Sequence, residues 1–566
     1  MEDKLSFEHL EDASRITSGS TMIDSKNDKS FINKFVTIQE MDEDAINQVA
    51  QDANEGEHEL SVREAIKLYK SAILWSMLMS ATIIMEGYDN ILMSSFFAYP
   101  SFKNKFGSPV KGDTSNLELT SSWQVALACG ASSGAIIGNI CNGPLTARFG
   151  HRRVILVALT LMAIFIFIPF FASKVGELMA GQVLCGLTWG IFAVMGPSYS
   201  SEVMPLALRG YLAAYVNLCW ATGQFIAAGV LQAYVNNTTQ WSYRVPFAIQ
   251  WVWIPPLFIL TVLCPDSPTW LVQKGRIEDA IKSVKRLSHR SIHDKAENRV
   301  AMLIRTDELE KQQRASLSGK DKGIAAYLEC FKGTNRRRTE IGCIAFAGQI
   351  LSGSTFAYSP SYFFSQAGLN SSDTYKLNLG VTGIAWSGTV LSWFFLRRFG
   401  RRRIYLAGYT VLTLALLLIG ILACPTQTSG IKWAQAGITM VWVATYAMSI
   451  GPLAFTIVGE MSATRLRSQS IALARGTYSV VGLVSHVIEP YLINPSEGNL
   501  KGKTAFVWLA SAISVLIWAF FRLPETNDRS FAELDIMFEK GIPARKFSSY
   551  VFSWDDEINH KNEQEA

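Results

Sequence analysis

The sequence predicts an all-α membrane protein of twelve transmembrane helices, in two six-helix halves with cytoplasmic helices between the halves. Three observations predict this. Of 566 residues, 49% are hydrophobic and only 17% are charged, against ~25% charged in a typical soluble domain. The apolar residues fall in blocks of roughly 20, about the helix length that crosses a ~30 Å hydrocarbon core. Short motifs recur in the same order in both halves.

Residues 1–65 are polar and acid-rich ("EMDED", "ANEGEHE") and read as a disordered acidic cytoplasmic tail. The N-terminal half, 66–264, holds spans near 71–98, 121–145, 153–172, 177–200, 210–234 and 246–264. Residues 265–338 are dense in Lys and Arg and read as a cytoplasmic loop with short helices, such as "IEDAIKSVKRL". The C-terminal half, 339–523, holds spans near 339–365, 377–396, 403–424, 432–458, 468–492 and 504–522. Residues 524–566 form a cytoplasmic C-terminal tail.

Charge in the short loops sets the orientation. Arg148, His151, Arg152 and Arg153 follow span 2, Arg397, Arg398, Arg401, Arg402 and Arg403 follow span 8, and Arg465 and Arg467 follow span 10. Excess Lys and Arg marks the cytoplasmic side, so these loops and both termini are placed there. The glycosylation sequons at Asn236, Asn237 and Asn370 then fall in outer loops. Eight scattered cysteines show no zinc or redox spacing and read as small buried hydrophobes. No metal site or cofactor is expected.

"RFGHRRVIL" (148–156) recurs as "RFGRRRIYL" (398–406), "SEVMPLALRG" (201–210) as "GEMSATRLRS" (459–468), and "PDSP" (265–268) in spirit as "PETN" (524–527). Parallel halves of this kind make the major facilitator fold, whose substrate sits near the midplane between halves that rock against each other. Gly150 and Gly400 are expected to turn the chain tightly. Arg148, Arg152, Arg398 and Arg402 are expected in a cytoplasmic gating network, with Glu202 paired to Arg209 and Glu460 to Arg467.

"RFGHRR", "PSYSSEVMPLALRG", "PDSPTWLVQKGR", "RFGRRR", "GEMSATRLRS" and "PETNDRSFAELDIMFEKGIPARKF" resemble the sugar porter family of the major facilitator superfamily, over about residues 65–545. Within it, "MEGYDNILMSSFFAYPSF", "CGLTWGIF" and "RGYLAAYVNLCWATGQ" look like the fungal α-glucoside (maltose-type) proton symporters. The resemblance implies a plasma-membrane carrier that imports α-glucosides such as maltose by proton symport through alternating access. A hexose carrier, passive or proton-coupled, and a non-transporting sugar sensor are the alternatives. The partners implied are a small sugar, protons and membrane lipids, with the proton as coupling ion and the carrier monomeric. Nucleic acid is not among them. No "HExxH", nucleophile elbow or paired catalytic aspartates suggest an enzyme.

Asn217 and Gln224 are seven apart and share a helix face. The resemblance makes both sugar contacts, eight and fifteen residues after Arg209. "GQILSGSTFAYSPSYFF" is similar to the family's "QQxSGxN" stretch, which aligns Gln349 with a sugar-binding glutamine and Thr355 with the asparagine. Phe455 stands where hexose carriers often have a stacking Trp, and Tyr358 and Tyr362 share one face of span 7. Interhelical hydrogen bonding is the other role open to each of these polar groups.

Ionisable groups inside a membrane are functional candidates by default. Here they are Glu86 and Asp89 in span 1, and Arg475, His486 and Glu489 in span 11. Glu86 and Asp89, three apart, are expected on nearly one face. Two carboxylates so close in a low dielectric do not both ionise readily, so one can hold a proton. The resemblance favours Asp89 as that site, with Glu86 tuning it or touching sugar and Arg475 as counter-charge. Two departures stand out. Gln182 occupies the place of an arginine that answers the aspartate in hexose relatives, and Ala135 that of an acid in many α-glucoside carriers.

Overall fold

The computed structural model describes residues 61–110, 113–316, 327–357, 361, 364–365, 370–426, 428–461, 466–495, 497–526, 534 and 537–550. The described residues begin inside the stretch expected as tail. Helix α1 (Val62–Leu68) starts there because Ser61 and Glu64 form a reciprocal capping box, with the Glu64 carboxylate 3.3 Å from the Ser61 amide. The chain then bends by 86° into α2 (Lys70–Ala81), which continues as α3 (Ile83–Phe96). After the short α4 (Pro100–Phe106) comes a small antiparallel hairpin, β1 (Ser108–Val110) and β2 (Asp113–Glu118). Among the described residues, this hairpin is the one pair of strands in a helical chain, and it was not legible in the sequence.

The rest of the first half is α5 (Ser121–Phe149), α6 (His151–Phe165) with α7 (Phe167–Phe171), α8 (Val175–Val203), α9 (Leu206–Tyr234) and α10 (Trp241–Leu263). Between the halves lie α11 (Pro268–Gln273), α12 (Ile277–Leu287) and α13 (Ala296–Ser316). They share a small apolar core around Trp270, Ile281 and Val300. The second half is α14 (Gly333–Leu351), α15 (Ser354–Ala357), α16 (Ser371–Arg398), α17 (Arg401–Leu422), α18 (Ser429–Met448), α19 (Ile450–Met461), α20 (Arg467–Ile493) and α21 (Ala505–Arg522).

Among the described residues, eight helical segments are long and apolar enough to cross a membrane, and the bent unit containing α2 and α3 makes a ninth. The other three expected crossings coincide with α9, with α14 and α15, and with α16. Their hydropathy is diluted by polar side chains that turn inward: Gln224, Gln349, Asn378 and Thr382 are all buried. Large apolar side chains such as Leu74, Ile140, Val157, Val252 and Phe394 are exposed instead. Outward apolar and inward polar groups suit a protein whose solvent is lipid, because helices satisfy their own backbone there.

Close approach places the first half's helices. Gly87 of "EGYD" lies against the backbone of Trp220, and Gly223 lies against the backbone of Ile84 and Tyr88. A Cβ at either would fall on those atoms, so α3 and α9 touch along their main chains. At the basic turns, Gly150 adopts φ 83°, as expected. Gly400 does not: its φ is −65°, within reach of any residue. What it needs is space, since a Cβ there would meet the Glu525 carboxylate.

Ser95, at the end of α3 far from the basic turns, ties the halves together. The Tyr375 hydroxyl donates to its carbonyl at 2.6 Å, and Asn378 Nδ2 to its hydroxyl at 3.3 Å. Ser361 donates to the same hydroxyl at 3.0 Å. The described end of the chain is docked: Arg337 donates to the Ile542 carbonyl at 2.9 Å and lies over Phe538 and Phe547.

Candidate functional site

Asp89 is 2% exposed, buried within the first half. Gln250 Nε2 of α10 donates to its Oδ1 at 2.7 Å, and Gln182 of α8 faces the same carboxylate. The neighbouring Tyr88 hydroxyl is turned away, donating to the Pro246 carbonyl at 2.8 Å. Glu86 points elsewhere. The groups in electrostatic range of it are Arg475 and Tyr478 on α20, in the opposite half. The expected carboxylate pair is therefore split. Three residues on a helix differ by about 60° in direction. That suffices to bury one acid among α8 and α10 and to turn the other to the gap between the halves.

Arg475 likewise serves Glu86 and not Asp89. Its guanidinium lies 5.7 Å from the Phe346 ring centre, 5.4 Å from Phe455 and 5.9 Å from Tyr478. An aromatic cage holds the cation by the rings' negative faces while it leaves the N–H edges free. Phe455 packs edge-on to Phe346 at 5.0 Å and carries the cation, so it is part of this cage.

The amides divide into free and engaged. Gln224 is 1% exposed and its Nε2 has no partner among the described residues. Asn217 is half-buried on the same helix. Gln349 Nε2, by contrast, donates to the Gly451 carbonyl at 2.7 Å. Gly451 lies just after Ser449, where span 10 breaks between α18 and α19. Thr355 is hydrogen-bonded to Ser485 of α20. Gln349 and Thr355 thus stitch the second half together, a role their residue types allowed. Tyr358 and Tyr362 lie outside the described residues.

At the basic turns, the described basic side chains beside the two acids are His151 and Arg401. Glu202 accepts from Ser267 and sits 3.5 Å from His151 Nε2. Glu460 accepts from Thr526 at 2.5 Å and pairs with Arg401 at 2.9 Å. The two clusters correspond member by member through the internal repeat. Aligning "RFGHRR" with "RFGRRR" sets His151 against Arg401, a signal present in the sequence. Arg209 lies in the first turn of α9 and Arg467 opens α20, but their side chains, and with them the expected Glu202–Arg209 and Glu460–Arg467 pairs, fall outside the described residues. Arg148 and Arg398 are exposed, and neither forms an ion pair among the described residues; Arg148 lies 5.4 Å over the Phe149 ring. Arg402 caps the end of α21 through the carbonyls of Phe520 and Leu523. Arg152 is half-buried near Cys264.

Ala135 lies where α5 and α8 meet, with its carbonyl against Gly190. A cavity of about 550 Å³ between α9, α16 and α18, lined by Phe225, Gly383, Trp386 and Met448, contains none of the candidate groups.

The model of the sugar (and other) transporter family matches residues 75–538. A maltose permease of Saccharomyces cerevisiae is 37% identical over 508 residues, covering 89% of this chain and 81% of the permease. The general alpha-glucoside permease of the same yeast is 34% identical over 504 residues, covering 89% and 81%. A partially occluded, inward-open structure of the xylose transporter XylE from E. coli has a TM-score of 0.65 at 18% identity, covering 81% of this chain and 100% of that one. Another structure, of the proton:xylose symporter XylE bound to 6-bromo-6-deoxy-D-glucose, has a TM-score of 0.64 at 20% identity, covering 83% and 99%. At these identities the structural likeness speaks to the fold.

Proposed function

The chain belongs to the sugar (and other) transporter family, and on that premise we propose that it imports α-glucosides such as maltose by proton symport. The observation that carries the coupling is Asp89: a carboxylate buried in a spanning helix, hydrogen-bonded by the neutral amide of Gln250 and faced by that of Gln182. A buried acid without a cation beside it is expensive to keep ionised and is suited to take up a proton. Asp89 loads from the outer water and releases to the inner water as the halves rock.

Sugar enters the gap that Glu86 faces across to Arg475, with Asn217 and Gln224 of α9 as its amide contacts from the first half. Bidentate amides fit vicinal hydroxyls, and Glu86 and Arg475 offer the charged ends of a hydroxyl-binding rim. Engagement of Glu86 from one half and Arg475 from the other lets bound sugar draw the halves together. The excess of arginine in the short loops supports a cytoplasmic position for those loops and both termini. The carrier works as a monomer in the plasma membrane, with the proton as coupling ion and no cofactor.

The test is expression in yeast cells that lack maltose carriers, with external pH recorded on adding maltose, trehalose or glucose. Alkalinisation with accumulation of maltose or trehalose is the expected result. Equilibration of sugar without a pH change would reject symport, and a response to glucose alone would reassign the substrate to hexoses.

A further inference from the structure

Asp89 is buried between three helices, and its surroundings are unusual in one respect. The groups facing it from α8 and α10 are two amides, Gln182 and Gln250, each 1% exposed. Gln250 uses its Nε2 on the carboxylate, but its Oε1 is buried with no partner among the described residues. Gln182 has neither amide atom in a hydrogen bond of good geometry. Buried amide atoms without partners are costly to keep, so this spare capacity calls for an explanation. The titratable neighbours are Tyr88 on α3 itself and Cys185 on α8, both in electrostatic range of Asp89. Glu86 and Arg475 act on each other and not on Asp89.

We propose that Gln250 and Gln182 are positioning residues that serve both protonation states of Asp89, forming an uncharged proton clamp. This rests on Asp89 being the proton carrier. An amide has two donors and an acceptor on one rigid plane, whereas a guanidinium has donors only. Toward the carboxylate, the amides present N–H. When a proton from the outer water binds Asp89, the new O–H needs an acceptor. Gln250 Oε1 or Gln182 Oε1 supplies it by a turn of the amide plane, with no change of charge. On release to the inner water the amide turns back. An arginine at position 182 would stabilise only the ionised form. The partnerless acceptor atoms seen here are the ones the protonated state requires.

The experiment measures maltose uptake and accumulation against external pH in carrier-deficient yeast, beside sugar counterflow, which needs no net proton movement. Gln182→Arg adds a donor-only cation. It is expected to move the pH midpoint of uptake to the acid side by about one unit or more and to abolish accumulation, while counterflow persists. Gln250→Met removes the observed donor to the carboxylate and is expected to move the midpoint to the alkaline side. Shifts in opposite directions are a signature that general loosening of the helices does not produce. A third variant, Gln182→Met, is expected to shift the midpoint while counterflow persists, and keeps the test decisive if one of the others does not reach the membrane. Unchanged midpoints, or reduced rates with an unaltered pH profile, overturn the proposal. Asp89→Asn separates the premise: if it still accumulates sugar, the proton assignment itself is wrong. If it loses accumulation while the glutamine variants leave the profile unmoved, only the clamp is wrong.

Discussion

His151 lies 3.5 Å from the Glu202 carboxylate, in the place where the second half sets Arg401 against Glu460. The acids are otherwise served alike, by Ser267 in one half and Thr526 in the other. A histidine pair is charged only when the ring is protonated, whereas an arginine pair is charged throughout the physiological range. Glu460→Gln therefore costs more than Glu202→Gln. The expected loss is about 1–2 kcal/mol for the former, since the site is partly exposed. Thermal unfolding of the purified carrier at pH 8 checks the order; equal losses would contradict it.

Ser95 joins α3 to α16 through the Tyr375 hydroxyl and the Asn378 amide. These bonds hold the halves closed on the face opposite the basic turns. Tyr375→Phe or Asn378→Ala removes one bond, worth about 1 kcal/mol or a roughly fivefold population shift toward opening on that face. Thr374, fully buried beside this node, makes a reporter. A cysteine at 374, in a background free of the native cysteines, is expected to react several-fold faster with a membrane-impermeant thiol reagent in either variant.

Gln349 and Gln224 look equivalent in sequence, yet among the described residues Gln349 Nε2 is engaged, on the Gly451 carbonyl, and Gln224 Nε2 is not. Gln349→Leu leaves that carbonyl at the break in span 10 without its side-chain donor and is expected to lower stability by about 1–3 kcal/mol. Gln224→Leu is expected to raise the KM for sugar while the unfolding temperature holds. Measuring both quantities for both variants distinguishes the roles, and a reversed pattern would exchange them.

Asp89 and Glu86 are expected to separate functionally as they do spatially. Asp89→Asn abolishes accumulation and spares counterflow. Glu86→Gln leaves the proton carrier in place, so accumulation persists while sugar affinity falls, by about tenfold if one charge-assisted bond of about 1.5 kcal/mol is lost. Uptake and counterflow kinetics of the two variants decide it. Loss of accumulation in Glu86→Gln would show that both acids titrate as one unit.

Hydropathy blocks, arginine-rich turns and repeated motifs made the spans and the two halves legible, because each is a local or periodic property of the chain. The same holds for the two acids of "EGYD", conspicuous against their apolar neighbours. Partners are a different matter. Gln250 lies 161 residues from Asp89 and leaves no periodic trace beside it. The sequence around Glu202 does not announce His151, which the fold brings to it from the preceding turn. Spacing alone gave Glu86 and Asp89 one face. The backbone contact at Gly87 and the packing of α8 and α10 then placed them in separate surroundings. The residues that this protein buries in its membrane spans were written in its composition; which neutral or charged group each one meets was decided only by packing, because a hydrogen bond depends on ångström-scale placement of helices far apart in the chain.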